Sequence, residues 1–343
     1  MTASDSSRAD ADGKALAPWL QRQLGPLLAQ PAHALLLHGP SGLGQYPLAL
    51  ALASAWLCAE PTAAGACGRC ASCHAIAVRT HADLHVLMPE VTLQELGWPL
   101  DEKAQAELDD KKRKPSREIR VDAMREAIEF SQRTSAGSRG KVVLVYPAER
   151  MNAVTANALL KTLEEPAGAL RFVLATEAVR QLLPTVRSRC QSHAMDWPAG
   201  QELLPWLHAH GVEPQAAAIW LRAAGGRPEA ALALAQRGLD AEKWSALPKA
   251  VQHGNAGLLA DWSAPEIVQA LHKICHDMQL RHFEAEPRFF LPQDLPAPIG
   301  FAALSRWGRA LTQAARTMEH PFNPGLMQEA LLDDAKIALN SRH

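Results

Sequence analysis

Through residue 195 the chain alternates short apolar runs with helix-length stretches, and beyond Trp197 the short runs fade. Trp19 to Leu28 reads as a first helix. Ala34 to His38 is an apolar run of strand length that stops at Gly39, and Leu48 to Leu57, Ala-rich and free of glycine, reads as the helix that follows. Asp83 to Met88 reads as a second strand, Lys141 to Tyr146 as a central strand and Leu170 to Thr176 as another. Asp122 reads as the N-cap of a helix with Met124, Ile128 and Ser131 at helical spacing. Asn152 reads as the cap of a helix that Pro166 stops after Glu165. Strand alternating with helix argues for a parallel sheet covered on both faces.

Residues 201–343 are rich in Ala and Leu at helical spacing, as in Ile267, Leu271, Ile274 and Met278, and that half reads as all-α. Gly225-Gly226-Arg227-Pro228 reads as a turn between helices, and Pro287 to Pro298 as a loop. The expected organisation is a loose tail at 1–16, an α/β domain at 17–195, a small helical lid at 196–240 and a helical collar at 241–343. The polar, irregular stretch 89–116 reads as an insertion or long loop within the α/β domain.

Composition narrows the picture. The formal net charge of this 343-residue chain is −1, so no global basic field points to nucleic acid. The run Lys111-Lys112-Arg113-Lys114 follows Glu107, Asp109 and Asp110 and reads as a solvated, partly disordered loop. No stretch approaches the ~18 apolar residues of a membrane span, and Met1 to Gly13, polar and acidic, does not read as a secretory signal. A cytoplasmic location is expected, with the cysteines as thiols or metal ligands rather than disulfides.

Three motifs carry chemistry. Gly39-Pro40-Ser41-Gly42-Leu43-Gly44-Gln45-Tyr46 follows a strand and opens a helix, the context of a phosphate-binding loop. The glycines Gly39, Gly42 and Gly44 are in place. Gln45 stands where the phosphate-binding lysine belongs, and Tyr46 where a hydroxyl would hold magnesium. The strand at 142–145 runs into Tyr146-Pro147-Ala148 instead of an acidic pair, with Glu149 displaced from the strand end. Hydrolysis by this chain is therefore not expected. Cys58, Cys67, Cys70 and Cys73, spaced C-x8-C-x2-C-x2-C within a module at 58–73, suit a closed, structural, tetrahedral Zn²⁺ site, although spacing does not fix the metal. His74 is a competing ligand only if the four thiols do not complete the shell; Cys190 and Cys275 read as ordinary buried or semi-buried thiols. Third is Ser188-Arg189-Cys190. In isolation Arg189 reads as a surface charge or half of an internal ion pair; beside an ATPase neighbour it would suit an arginine finger acting in trans.

The run Asn157 to Pro166 (NALLKTLEEP), the Ser188-Arg189-Cys190 triplet and the cysteine knuckle behind the loop together resemble the bacterial DNA polymerase III clamp-loader subunits of the AAA+ fold. The resemblance covers most of residues 17–240, with a weaker echo from His320 to Leu332. Catalytic members of that set, gamma/tau, carry an intact loop and an acidic strand end. The two departures here match the non-hydrolysing, stator member. The resemblance implies a hetero-pentamer with gamma/tau and delta subunits that places the ring-shaped beta sliding clamp on primed DNA. It further implies a structural Zn²⁺ but no functional ATP site, Arg189 reaching a neighbouring gamma/tau ATP site, and C-terminal helices forming a collar. Thr176 would stand where catalytic relatives sense the γ-phosphate, and Arg227 lies near a further arginine position of active relatives. Two alternatives remain: a gamma/tau-like ATPase, which the loop and strand end disfavour, and a zinc-dependent DNA-binding module, which the near-neutral charge disfavours.

Overall fold

The computed structural model describes residues 16–259, 262–317 and 324–341. The tail expected at 1–16 falls outside them except for Leu16, as do residues 320–323 of the C-terminal echo. Contacts divide the chain into two units, Met1–Ala199 and Gly200–His343.

In the first unit the strands are β1 (Ala34–His38), β2 (Leu84–Leu87), β3 (Lys141–Val145), β4 (Leu170–Thr176) and β5 (Gln191–Ala194). Its helices are α1 (Pro18–Leu28), α2 (Gln45–Leu57), α3 (Ala71–Ala77), α4 (Glu90–Glu95), α5 (Glu102–Asp109), α6 (Val121–Gln132), α7 (Ala153–Glu164) and α8 (Pro184–Arg187). The strands form one parallel sheet in the order β2-β3-β4-β1-β5, with Leu36 opposite Leu174 and Leu144 opposite Val173. The three inner strands are apolar on both faces because both faces are covered. Ala34, Leu36, Val143, Val145, Phe172 and Leu174 pack with Met124 of α6 and Leu159 and Leu163 of α7. The opposite residues Leu35 and Leu37 are fully buried, on the side where α2 lies against β1, β3 and β4. This is an α/β domain built on a parallel sheet, with the glycine-rich loop at the carboxyl end of the inner strand β1.

Two buried charges set the approach to β3. The Asp83 carboxylate accepts the backbone N–H groups of Ala136 and Gly137, each at 2.8 Å. Lys141 Nζ donates to Phe130 O and Arg133 O, capping the end of α6. Between them Gly140 adopts φ 84°, and a Cβ there would meet Ala169 O at 2.3 Å, so only glycine fits.

The structure corrects two expectations and adds a strand. The stretch 89–116 is not a long loop: it folds into α4 and α5, tied by Glu90. That carboxylate, 9% exposed, receives Arg113 Nη2 at 2.7 Å and the Ser116 N–H at 2.7 Å, while Arg113 Nε reaches Glu107 Oε2 at 2.7 Å. A carboxylate this buried requires paired donors, and they order Arg113 within a run that otherwise reads as solvated charge. Asp122 is not the N-cap of α6. Arg120 holds that position, and Asp122 lies in the first turn, where its negative charge suits the helix N-terminus and pairs with Arg125. Asn152 does cap α7, accepting the Thr155 N–H at 2.9 Å. Finally, β5 is an added edge strand whose sequence, Gln-Ser-His-Ala, has no apolar signature because its outer side is exposed.

The second unit is helical throughout its described residues: α9 (Gly200–Ala209), α10 (Pro214–Ala223), α11 (Pro228–Gln236), α12 (Ala241–Gln252), α13 (Ala264–His282), α14 (Phe301–Thr317) and α15 (Pro324–Asn340). One apolar cluster runs through it from Leu207 to Leu339, including all four of Ile267, Leu271, Ile274 and Met278 on α13. Ser263 and Glu266 form a capping box that starts α13. Gly225 and Gly226, both at positive φ, turn the chain between α10 and α11. The fully buried Asp277 accepts the backbone N–H groups of Arg288, Phe289 and Phe290 at 3.0, 2.7 and 2.8 Å, which pins the 287–298 loop to α13.

Candidate functional site

The glycine frame is built as a phosphate loop. β1 ends at His38, residues 39–44 turn, and α2 begins at Gln45. Gly42 and Gly44 adopt φ 81° and 97°. Trp19 Nε1 of α1 donates to Leu43 O at 3.1 Å and holds the loop from behind. Such a turn at a helix N-terminus offers backbone N–H groups to an anion.

The side chains close what the frame would open. Gln45 is 2% exposed, and its amide nitrogen donates to Gly39 O at 2.9 Å and Pro40 O at 2.7 Å. The two N–H bonds fold the side chain back on the loop entrance, in the lysine's place but without its charge. Tyr46, 6% exposed, occupies the magnesium-ligand position with a ring. Its centroid is 5.5 Å from that of Tyr146, at the end of β3, and its phenol oxygen accepts Trp98 Nε1 at 2.7 Å. The Arg79 guanidinium lies 4.6 Å from the Trp98 ring. Tyr146 in turn donates to Glu177 Oε1 at 3.1 Å. Side chains thus join the loop helix, the 89–116 segment, the end of β3 and the end of β4 beside the glycine-rich loop.

Glu149, Thr176 and Arg227 are also engaged in bonds or buried within the chain. Glu149 sits on a short 3-10 turn after Pro147, and its carboxylate turns to β4, accepting Thr176 Oγ1 at 2.7 Å and the Glu177 N–H at 3.2 Å. Thr176 is fully buried. Arg227 lies in the other unit, at the N-cap of α11, with Nε donating to Ala224 O at 2.7 Å.

The structure brings the four cysteines together. Their sulfurs all lie within 4.8 Å of one another. The measured pairs are Cys58–Cys70 at 3.8 Å, Cys67–Cys73 at 3.9 Å, Cys58–Cys73 at 3.7 Å and Cys70–Cys73 at 3.5 Å. A tetrahedron of sulfurs each about 2.3 Å from an ion has edges of about 3.8 Å. The cluster fits a tetrahedral thiolate site and is too open for a disulfide. The Cys67 N–H points at Cys58 Sγ at 3.2 Å, a bond suited to sulfur carrying negative charge. Burial pushes the Cys70 thiol up, but bonds from the Cys73 and Ala59 backbones and from neighbouring thiols outweigh it and bring it down to about 6. Burial raises Cys58 and Cys73. His74 is exposed and is not one of the clustered groups. Cys190 and Cys275 stand apart, each raised by burial to about 12.

Arg189 follows α8, with its side chain 30% exposed. Its Nε and Nη2 both bond Glu164 Oε1, at the end of α7, and its Nη1 donates to Thr185 O at 2.8 Å. Sequence reasoning found the arginine and left its partner open. The Glu164 pairing and the Trp98–Tyr46–Tyr146 contacts were missed because they link positions 25, 52 and 100 residues apart, with no local pattern to announce them.

Comparison with known proteins identifies the family of this chain. The family model for "DNA polymerase III, delta subunit" matches residues 21–197. The DNA polymerase III subunit delta' of Pseudomonas aeruginosa is 41% identical over 231 residues, 66% of this chain and 63% of that protein. The same subunit of Escherichia coli is 32% identical over 277 residues, 75% and 76% of the two chains. A gamma subunit-related protein of Thermotoga maritima aligns structurally with a TM-score of 0.43 at 15% identity, covering 94% of this chain and 100% of that one.

Proposed function

The chain belongs to the DNA polymerase III delta subunit family, with delta' subunits among its relatives, and we propose that it serves as the delta' stator of a clamp loader. In this role it assembles with gamma/tau and delta subunits in the cytoplasm and helps place the beta sliding clamp on primed DNA. It hydrolyses no ATP itself and presents Arg189 to the ATP site of a neighbouring gamma/tau subunit. The carrying observation is the closed loop: Gln45 bonded to Gly39 O and Pro40 O, and Tyr46 locked between Tyr146 and Trp98.

The chemistry divides accordingly. With no lysine and no metal-holding hydroxyl, the chain offers neither the point charge nor the magnesium ligand that phosphoryl transfer uses. Arg189 lies outside that closed network, partly exposed, and a guanidinium can stabilise charge developing on a transferring phosphoryl group in an adjacent subunit. Cys58, Cys67, Cys70 and Cys73 would hold a structural Zn²⁺. Four thiolates would close its shell, so the bound ion would cross-link the α2 end to the α3 start and leave no open position for water. The α9–α11 region (196–240) would act as the lid and residues 241–343 as the collar. DNA contact would arise within the assembly, in keeping with a formal net charge of −1.

The test is reconstitution. Mixing the full chain with gamma/tau and delta subunits should give a stoichiometric complex that loads the clamp onto primed DNA. The isolated chain should show no magnesium-dependent ATP binding. Micromolar MgATP binding with turnover would instead support the gamma/tau-like alternative and overturn the proposal.

A further inference from the structure

The guanidinium of Arg189 is braced by groups of its own chain. Nε and Nη2 share Glu164 Oε1 along one edge, and Nη1 is fixed on Thr185 O. Arg189 therefore has all three nitrogens engaged from the α7–α8 side, while 30% of its side chain remains open to solvent.

Glu164 is poorly explained by local stability. It is the last residue of α7, followed by Glu165, so two carboxylates stand at the helix end whose macrodipole disfavours negative charge. Its side chain is 48% exposed and bonds to Arg189. The pair is too exposed to add much stability. Pre-orientation of the arginine is a different matter. An unrestrained arginine has about 2 kcal/mol of rotamer entropy to lose when it docks, and a braced one has lost part of it beforehand.

The geometry points to Glu164 as a positioning residue that holds Arg189 in the conformation that reaches the neighbouring ATP site. This inference rests on the reading of Arg189 as a finger in trans. In that arrangement Glu164 makes no contact with the nucleotide. It acts through Arg189 alone, so its contribution disappears when the arginine is absent.

That dependence defines the experiment: DNA-stimulated ATP turnover of the complex reconstituted with gamma/tau, delta and each of four chains, wild type, Glu164→Ala, Arg189→Ala and the double variant, with Glu164→Gln as a separate rescue variant. The portion of turnover that depends on Arg189 should fall about fivefold in Glu164→Ala, equivalent to about 1 kcal/mol of lost pre-orientation, with KM for ATP unchanged. The double variant should be no slower than Arg189→Ala, and Glu164→Gln, which keeps an accepting oxygen, should recover part of the rate. Additive losses in the double variant, or a Glu164→Ala complex as fast as or faster than wild type while Arg189→Ala is slow, would overturn the bracing role and leave the finger intact. Unchanged turnover in Arg189→Ala itself would instead remove the reading on which this inference rests. Complex yield by gel filtration, expected to be the same for all four chains, separates these effects from loss of assembly.

Discussion

Replacing Tyr46 by threonine restores the hydroxyl that a phosphate loop would carry, yet the structure predicts a less stable protein with no new activity. The Tyr46 ring is 6% exposed and lies 5.5 Å from Tyr146, centroid to centroid. Truncating a buried aromatic ring costs about 3 kcal/mol or more. The phenol oxygen also accepts Trp98 Nε1 at 2.7 Å, and leaving that indole N–H without its acceptor adds about 1–3 kcal/mol. The expected loss is about 4–6 kcal/mol in the sheet-bearing unit. Urea titration of the full chain, with midpoints compared at constant slope, measures it. Tyr46→Phe keeps the ring and should lose only the indole part, about 1–3 kcal/mol. A cycle with Trp98→Ala should show a coupling of at least about 0.5 kcal/mol, because the two side chains share one bond. Tyr46→Thr should still bind no MgATP in equilibrium dialysis, since Gln45 and the neutral end of β3 are unchanged. A Tyr46→Thr protein as stable as wild type, or strictly additive with Trp98→Ala, would refute the claim that these side chains occupy the site as one packed unit.

Further outcomes follow from other parts of the chain. Metal analysis of the purified protein should find about one zinc per chain, and Cys70→Ser should release it, with the thiols of Cys58, Cys67 and Cys73 becoming reactive; a metal-free protein with four reactive native thiols would count against the site. Asp277→Ala removes the acceptor of three backbone N–H groups and should cost the helical unit about 4 kcal/mol by urea titration, with the Pro287–Pro298 loop gaining hydrogen exchange. Burial tends to raise Glu90, but Arg113, the Ser116 N–H and Arg120 outweigh it and hold its carboxyl below the usual 4.5. Its stabilisation is therefore fully present above that value and is lost as pH falls through the lowered folded value. Acid titration should loosen 89–116 in that window in wild type, and Glu90→Gln should remove the pH step.

Legibility in the sequence followed the range of the physics involved. β1, β3 and β4 are apolar on both faces and bounded by glycine or proline, so their positions could be read directly; Leu170–Thr176 matches the observed strand residue for residue. The four-cysteine cluster was legible because ligand spacing is a local constraint. β5 was not, since an edge strand with a wet face carries no hydrophobic period. The 89–116 segment looked irregular because its order comes from a buried Glu90 reaching Arg113, 23 residues away. Loss of the loop's working residues was visible in Gln45 and Tyr46. How they are used was not: Trp98 lies 52 residues from Tyr46, and only the fold brings the two together. The same holds for Arg189, whose candidate role came from its motif while its partner Glu164 came from the packing of α7 against α8.

The central claim is that this chain has closed its own nucleotide site and acts on another. The most direct measurement is DNA-stimulated ATP hydrolysis by the complex of gamma/tau and delta with either the wild-type chain or Arg189→Ala. The account predicts that the variant assembles with the same stoichiometry and the same melting temperature but turns over ATP more slowly, by at least about tenfold at the site it faces. Equal turnover in the two complexes would contradict it.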